Sequence, residues 1–383
     1  MPSAFVSLTA GELRTANVAN LEGELSALWQ SAAEDPETQQ AVTRASVLTL
    51  LAYVESQEAG AETLDLIAQI TPENPCRAIV MIAERAANAA ALRASISARC
   101  RTPSPGEKQV CCETVSIYAS GGAVEGLKSL VVPLIIPELP VYLWWRTDHF
   151  APAEYMADIL RVADRVLVDS AGYKDAEKGL ADLAQQVRRS WGARRLAFSD
   201  LNWSRLTPWR ELLAHCFDFP QATDCLRRIS RVRIEWIADG SAQPRAGAAP
   251  YLLAAWLAGR LGWKPKTTVE KPGSRVFNLE AEGQPVQIIC GTAEASQPGP
   301  PRASVSVETR GEPAAVFHFR ESAGERKIEG RCEVPGRPPF ERTVLLQPTR
   351  VNNLLGNELR FPSHDTIYEE VLDAFASMIA ASN

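Results

Sequence analysis

The chain has 383 residues, 46% of them apolar and 22% charged, with a formal net charge of −6. That length suits two or three domains of roughly 100–200 residues, each with a substantial core. The acidic balance argues against a nucleic-acid partner, which needs a concentrated basic surface. Met1 to Gly11 lacks the basic start and apolar run of a secretory signal. The most apolar stretch, Leu130 to Trp145, is broken by Pro133, Pro137, Glu138 and Pro140, and a membrane span takes about 20 apolar residues. A cytoplasmic chain with no membrane partner is therefore expected. Its eight cysteines form no Cys-x-x-Cys pair and are expected as reduced, buried thiols.

In chain order, the first 70 residues read as helical. Leu21, Leu25, Leu28 and Trp29 share a face of a segment starting near Thr9, and Val47, Leu48, Leu51 and Val54 share a face of a second. Short apolar strands are expected at Ala78–Ala83, Val110–Ala119, Val141–Trp145 and Arg165–Asp169. Helices are expected between them over Ala87–Ala98, Gly126–Leu134, Tyr155–Val162 and Asp175–Trp191. Ile229–Ile237 and Pro250–Leu261 repeat the strand-then-helix order. The alternation predicts an α/β, Rossmann-like domain with a mostly parallel sheet and N-terminal helices over residues 1–263.

After Trp263 the texture changes to a Lys/Pro-rich piece and six strand-like runs between residues 275 and 346. Turns at Glu282-Gly283, Arg310-Gly311 and Ala323-Gly324 and a loop over Thr292–Arg302 separate some of them. A final helix after Pro362 puts Ile367, Val371, Phe375 and Ile379 on one face. Residues 264–383 are thus expected as a smaller antiparallel β-rich (α+β) domain. A boundary near 197 is the competing choice.

Motifs for chemistry are scarce. The strand at 78–83 leads into Glu84-Arg85-Ala86-Ala87-Asn88 with no glycine, so the G-x-G-x-x-G loop that cradles a dinucleotide pyrophosphate is absent there. There is no Walker loop, no G-x-S-x-G elbow, and no His or Cys pair at metal spacing. No catalytic residue, cofactor or metal is expected. Cys216 and Cys225 are the candidate pair for a redox switch, against two core thiols.

Two short stretches are dense in aromatic and arginine residues instead. Trp144, Trp145 and Arg146 end a strand at the edge where open α/β sheets place ligands and partners. Trp203, Arg205, Trp209 and Arg210 crowd the start of a helix that opens at Thr207-Pro208. Trp and Arg dominate contact hot spots, so these seven are the candidate partner-binding residues. The alternative is internal packing, with arginines stacked on tryptophans and paired with acids.

The run Leu127 to Arg146, the segment Asp164 to Ala171 and the stretch Asp200 to Arg210 resemble the hallmarks of one family. Pro75 to Val80 and Leu257 to Trp263 fit the same family in order. It is the glucose-6-phosphate dehydrogenase assembly protein family, OpcA. The resemblance implies a non-catalytic partner that binds the glucose-6-phosphate dehydrogenase oligomer, promotes its assembly and activates it allosterically in the pentose phosphate pathway. It also implies, for cyanobacterial members, a thioredoxin-linked cysteine switch near the C-terminus. Here the last cysteine is Cys332. A small-molecule or sugar-phosphate-binding enzyme on the same fold is the alternative, and a general chaperone is a third reading.

Overall fold

A computed structural model describes residues 14–33, 42–44, 46–101, 109–190, 196–236, 247–292, 303–322, 326–347, 350–360 and 363–381. In chain order the elements are β1 (Arg14–Ala16), α1 (Leu21–Ala33), β2 (Val42–Arg44), β3 (Leu48–Val54), α2 (Gln57–Ile70) and β4 (Cys76–Glu84). Next come β5 (Ala91–Arg101), β6 (Gln109–Ser120), α3 (Leu127–Val131), β7 (Val141–Trp145), α4 (Ala157–Val162), β8 (Arg165–Val168), α5 (Ala176–Ser190) and β9 (Ala197–Asp200). Then follow α6 (Leu201–Arg205), α7 (Thr207–Phe217), α8 (Pro220–Thr223), β10 (Ile229–Trp236), α9 (Ala248–Arg260), β11 (Lys264–Lys271) and β12 (Ser274–Ala281). The chain ends with β13 (Gln284–Gly291), β14 (Ala303–Thr309), β15 (Val316–Glu321), β16 (Lys327–Glu333), β17 (Phe340–Leu345), α10 (Val351–Glu358) and α11 (Thr366–Ala380).

Two compact units result. One comprises Met1–Val168, Leu196–Ser199 and Arg350–His364, and the other Asp169–Arg195, Asp200–Thr349 and Asp365–Asn383. Residue 263, where the sequence reading draws a boundary, lies inside the second unit between α9 and β11.

The first unit is built on a nine-stranded sheet of order β1-β5-β6-β4-β3-β7-β8-β9, with β2 also pairing β6. β3 runs parallel to both β4 and β7, β4 parallel to β6, and β7 parallel to β8. Taken in chain order, β3, β4, β6, β7, β8 and β9 lie in the sequence 3-2-1-4-5-6, the doubly wound Rossmann order. β5 is an antiparallel addition, paired with β6 from Ala91↔Ser120 to Arg101↔Val110.

Two expected helices are strands. The sequence places a helical face on Val47–Val54, yet Leu48–Val54 is β3, buried at all seven positions. A run that is apolar throughout satisfies helical spacing and a strand covered on both faces equally well. Ala87–Ala98 is likewise not a helix. Ala94, Ile96 and Ala98 are buried at the period of two that a strand requires. Alanine-rich composition misled here because pairing with β6 overrides intrinsic propensity.

α2 packs on β3 and β4 through Ile67 and Ile70. Leu355 and Leu359 join the same core with Leu50, Val80, Tyr142 and Trp144. On the other face of β4 the buried Arg77 donates to Glu113, to Glu22 and to the Leu134 carbonyl. Trp29 Nε1 donates to the other Glu113 oxygen at 2.7 Å, so α1 is fastened to the sheet by a hydrogen-bonded ion pair.

The second unit holds an eight-stranded sheet of order β11-β12-β13-β10-β14-β15-β16-β17. Every pairing in it is antiparallel except β10 with β13. The strand-then-helix order predicts that β10 continues the first, parallel sheet, but it is central to the second one. Its alternating burial and its two partners, β13 and β14, place it there. The Lys/Pro-rich piece after Trp263 is the edge strand β11, where a proline and lysines are tolerated because one side is unpaired. α11 lies along β11, with Thr268 Oγ1 donating to the Met378 carbonyl at 2.6 Å. The buried stripe of α11 is Tyr368, Val371, Leu372, Phe375 and Met378. Ile367 is 39% exposed, so it leaves the face it was given. Thr9, Trp191, Ile237, residues 293–302, the Ala323-Gly324 turn and Pro362 lie outside the described residues.

Candidate functional site

The first aromatic–arginine stretch closes β7. Strand alternation sends Trp144 and Trp145 to opposite faces. Trp144 enters the core shared with α2, and Trp145 stacks on Tyr53 of β3 at 4.2 Å between ring centroids and 16° between planes. Phe150 meets Trp145 edge-on at 5.1 Å. The Trp145 Nε1–H is spent locally on Thr147 Oγ1 at 2.7 Å and the His149 carbonyl at 3.0 Å. Arg146 reaches back to α2, donating to Thr63 Oγ1 and to the Ala59 carbonyl at 3.3 Å, with its guanidinium 4.8 Å from the Trp144 ring. Beside them the Tyr53 and Tyr155 hydroxyls are 2.8 Å apart. Burial and that hydrogen bond push Tyr53 above the ordinary tyrosine range.

The second stretch lies in α6 and α7. Trp203 Nε1 donates to Asp365 Oδ2 at 3.0 Å, and the Arg210 guanidinium covers the Trp203 ring. Arg210 also donates to Thr207 Oγ1 at 2.8 Å. The Thr207 hydroxyl therefore anchors Arg210 and does not cap the helix, whose N-cap is Leu206. Burial lowers Arg210 to about 10, against the opposing pull of Asp365 and Glu211. Arg205 forms a bidentate pair with Asp169 at 2.6 and 2.8 Å. Trp209 packs on Trp236 at 5.3 Å.

All four tryptophans are buried, none more than 3% exposed. A solvent-facing tryptophan patch is therefore replaced by two internal pins, since an indole costs free energy in water that burial recovers. Arg146 and Arg205 each keep about a fifth of their side chains exposed, at 21%.

Sequence reasoning missed a polar cluster centred on Asp200, which is fully buried. Asp200 Oδ1 accepts from the backbone N–H of Ser170 and Asn202, both at 2.9 Å. Oδ2 accepts from the Ser170 hydroxyl at 2.5 Å and the Tyr368 hydroxyl at 3.2 Å. Burial, then the nearby Asp169 charge, lift its carboxyl to about 6 in spite of these donors. Spacing along a single sequence cannot bring residues 170, 200 and 368 together. The cysteine expectation also changes. Cys216 shares a thiol hydrogen bond with Cys332, which together with burial keeps Cys332 protonated. Cys225 instead accepts from Arg228 at 3.6 Å. Among the described residues no group of three or more His, Cys, Asp or Glu is placed to hold a metal ion. No described helix is long and apolar enough to cross a membrane.

A doubly wound unit followed by a helix-backed β-sheet, with its aromatic and arginine groups used for internal fastening, defines a mixed α/β protein of two units. A family model described as the glucose-6-phosphate dehydrogenase subunit N-terminal domain matches residues 67–185, and one described as the C-terminal domain of that subunit matches residues 196–372. The chain belongs to this family, the OpcA glucose-6-phosphate dehydrogenase assembly proteins. It is 33% identical over 205 residues to an OpcA protein of the OxPP cycle from Synechocystis sp., covering 53% of this chain and 41% of that one. To the OpcA protein of Nostoc punctiforme it is 25% identical over 337 residues, covering 82% and 67%. The chain thus spans under half the length of the first of these relatives. Among solved structures, a Bacillus subtilis chain described as the oxidoreductase yvaA aligns with a TM-score of 0.47 at 9% identity, covering 88% of this chain and 96% of that one.

Proposed function

We propose that this chain binds glucose-6-phosphate dehydrogenase in the cytoplasm and favours assembly of its active form, acting as an allosteric activator with no oxidoreductase step of its own. The observation that carries this reading is the ordered match of two family models, both described by that dehydrogenase, over residues 67–185 and 196–372. The side-chain chemistry agrees with it. Ser170 donates to Asp200, Arg205 pairs with Asp169 and Arg210 donates to Thr207.

An activator needs only to bind one state of its partner more tightly than the other. A coupling of about 1–3 kcal/mol, some 5–150-fold, is typical of such effects. The partly exposed edges of Arg146 and of Arg205 are each offered for contact, as charge-assisted donors. Titrating the chain into its cognate dehydrogenase while following NADPH formation tests the reading. A saturable rise in rate or fall in apparent KM supports it, and turnover of glucose-6-phosphate by this chain alone overturns it.

A further inference from the structure

The Rossmann order of the first unit places the dinucleotide crevice at the C-terminal ends of β3 and β7, where the strand order reverses. The turn that would cradle a pyrophosphate is therefore the one from β3 into α2, residues 55–60, and not the one after β4. Its sequence is Glu55-Ser56-Gln57-Glu58-Ala59-Gly60. Gly60 performs the packing task of the last glycine in G-x-G-x-x-G. A Cβ there would lie 2.4 Å from Ile82 Cδ1 on β4, so any larger residue must displace the Ile82 side chain for α2 to seat as it does. Counting back from Gly60, Glu55 stands at the glycine of the tight turn and Gln57 at the one where backbone must approach the pyrophosphate.

Inside the turn, the chain supplies its own anion. Glu84, at the end of the second strand of the order, stands where dinucleotide-binding folds place an acid for the ribose. Here its Oε1 accepts from the Gln57 backbone N–H at 3.2 Å, and its Oε2 accepts from the Tyr118 hydroxyl at 2.7 Å. Ser56 Oγ takes the Ala59 N–H at 3.1 Å. Two donors at the start of α2 that would meet a phosphate are thus already used, and Glu55, Glu58 and Glu84 put three carboxylates around the turn. The residues present do not fit a dinucleotide.

We propose that the switch-point crevice is a dinucleotide site closed from within, with the Glu84 carboxylate in the place of the pyrophosphate and Glu55 and Gln57 in the place of its glycines. This stands apart from the dehydrogenase-partner reading, since either can fail without the other. The test uses the full chain. Wild type gives no saturable binding of NADPH or NAD+ in calorimetry up to millimolar ligand, and inorganic pyrophosphate leaves its melting temperature unchanged beyond an equal-ionic-strength control. Glu84→Ala frees the Gln57 N–H and removes the charge, so pyrophosphate stabilises that variant saturably, with an affinity at least roughly tenfold above the limit that the silent wild type sets. Glu84→Gln, which keeps an acceptor for the Gln57 N–H, serves if the alanine variant does not fold, and shows the same direction. Saturable dinucleotide binding by wild type, or no gain in pyrophosphate affinity in a folded variant, overturns the proposal.

Discussion

The guanidinium carbon of Arg210 sits 3.4 Å from the centroid of the Trp203 ring, and the Trp203 Nε1–H is held by Asp365. The stack leaves Arg210 Nε buried without a hydrogen-bond partner, so the arginine depends on the ring for compensation. Trp203→Ala should cost about 3–5 kcal/mol in urea unfolding. Arg210→Lys, which lacks the planar face, should be milder and its loss should largely vanish in a Trp203→Ala background. Additive losses in that cycle would mean the two residues act independently.

Arg205 separates docking from folding. Its pair with Asp169 is partly exposed, so Arg205→Ala should change stability by no more than about 1 kcal/mol. If Arg205 contacts the dehydrogenase, the variant raises the concentration needed for half-maximal activation while its thermal melt stays near the parent's. Unaltered activation by a folded variant removes Arg205 from the docking surface.

Arg77 and Glu113 form a pair of which neither member is more than 4% exposed. Removing one partner strands the other's charge. Arg77→Ala should therefore lose roughly 3–5 kcal/mol, whereas Arg77→Met combined with Glu113→Gln should recover part of that loss. Chemical denaturation of the three proteins decides it.

Asp200 predicts a pH dependence. Its folded value of about 6 lies above the ~3.9 of an unfolded aspartate, so the folded chain holds this proton more tightly. The stability it contributes is complete below the unfolded value and is lost as pH rises through about 6. Two pK units amount to roughly 2–3 kcal/mol. The stability of wild type minus that of Asp200→Asn should fall between pH 4 and 6 and flatten above. Parallel curves would contradict the assignment.

Gly60 and Ile82 should couple. Gly60→Ala places a methyl within 2.4 Å of Ile82 Cδ1, for a loss of about 1–3 kcal/mol. In an Ile82→Ala background the same change should cost less, and a thermal-melt cycle reads the difference.

Much of the second unit was legible along the chain. Strands β14 to β16 alternate inward and outward, and turns such as Glu282-Gly283 punctuate the sheet. The site was less so. Trp203 and Arg210 are seven residues apart and their stack could be foreseen, but Asp365 completes it from 162 residues away.

The order of apolar runs by itself determined an α/β chain with a later antiparallel part, and the family motifs pointed to the dehydrogenase. Only the tertiary structure decided that Leu48–Val54 is the first strand of the parallel order, because burial on both faces erases the period that tells strand from helix. That decision moves the crevice to the turn at Glu55–Gly60, where Glu84 meets the start of α2. Which carboxylate reaches which backbone N–H depends on strand order in space, and no spacing along the chain encodes it.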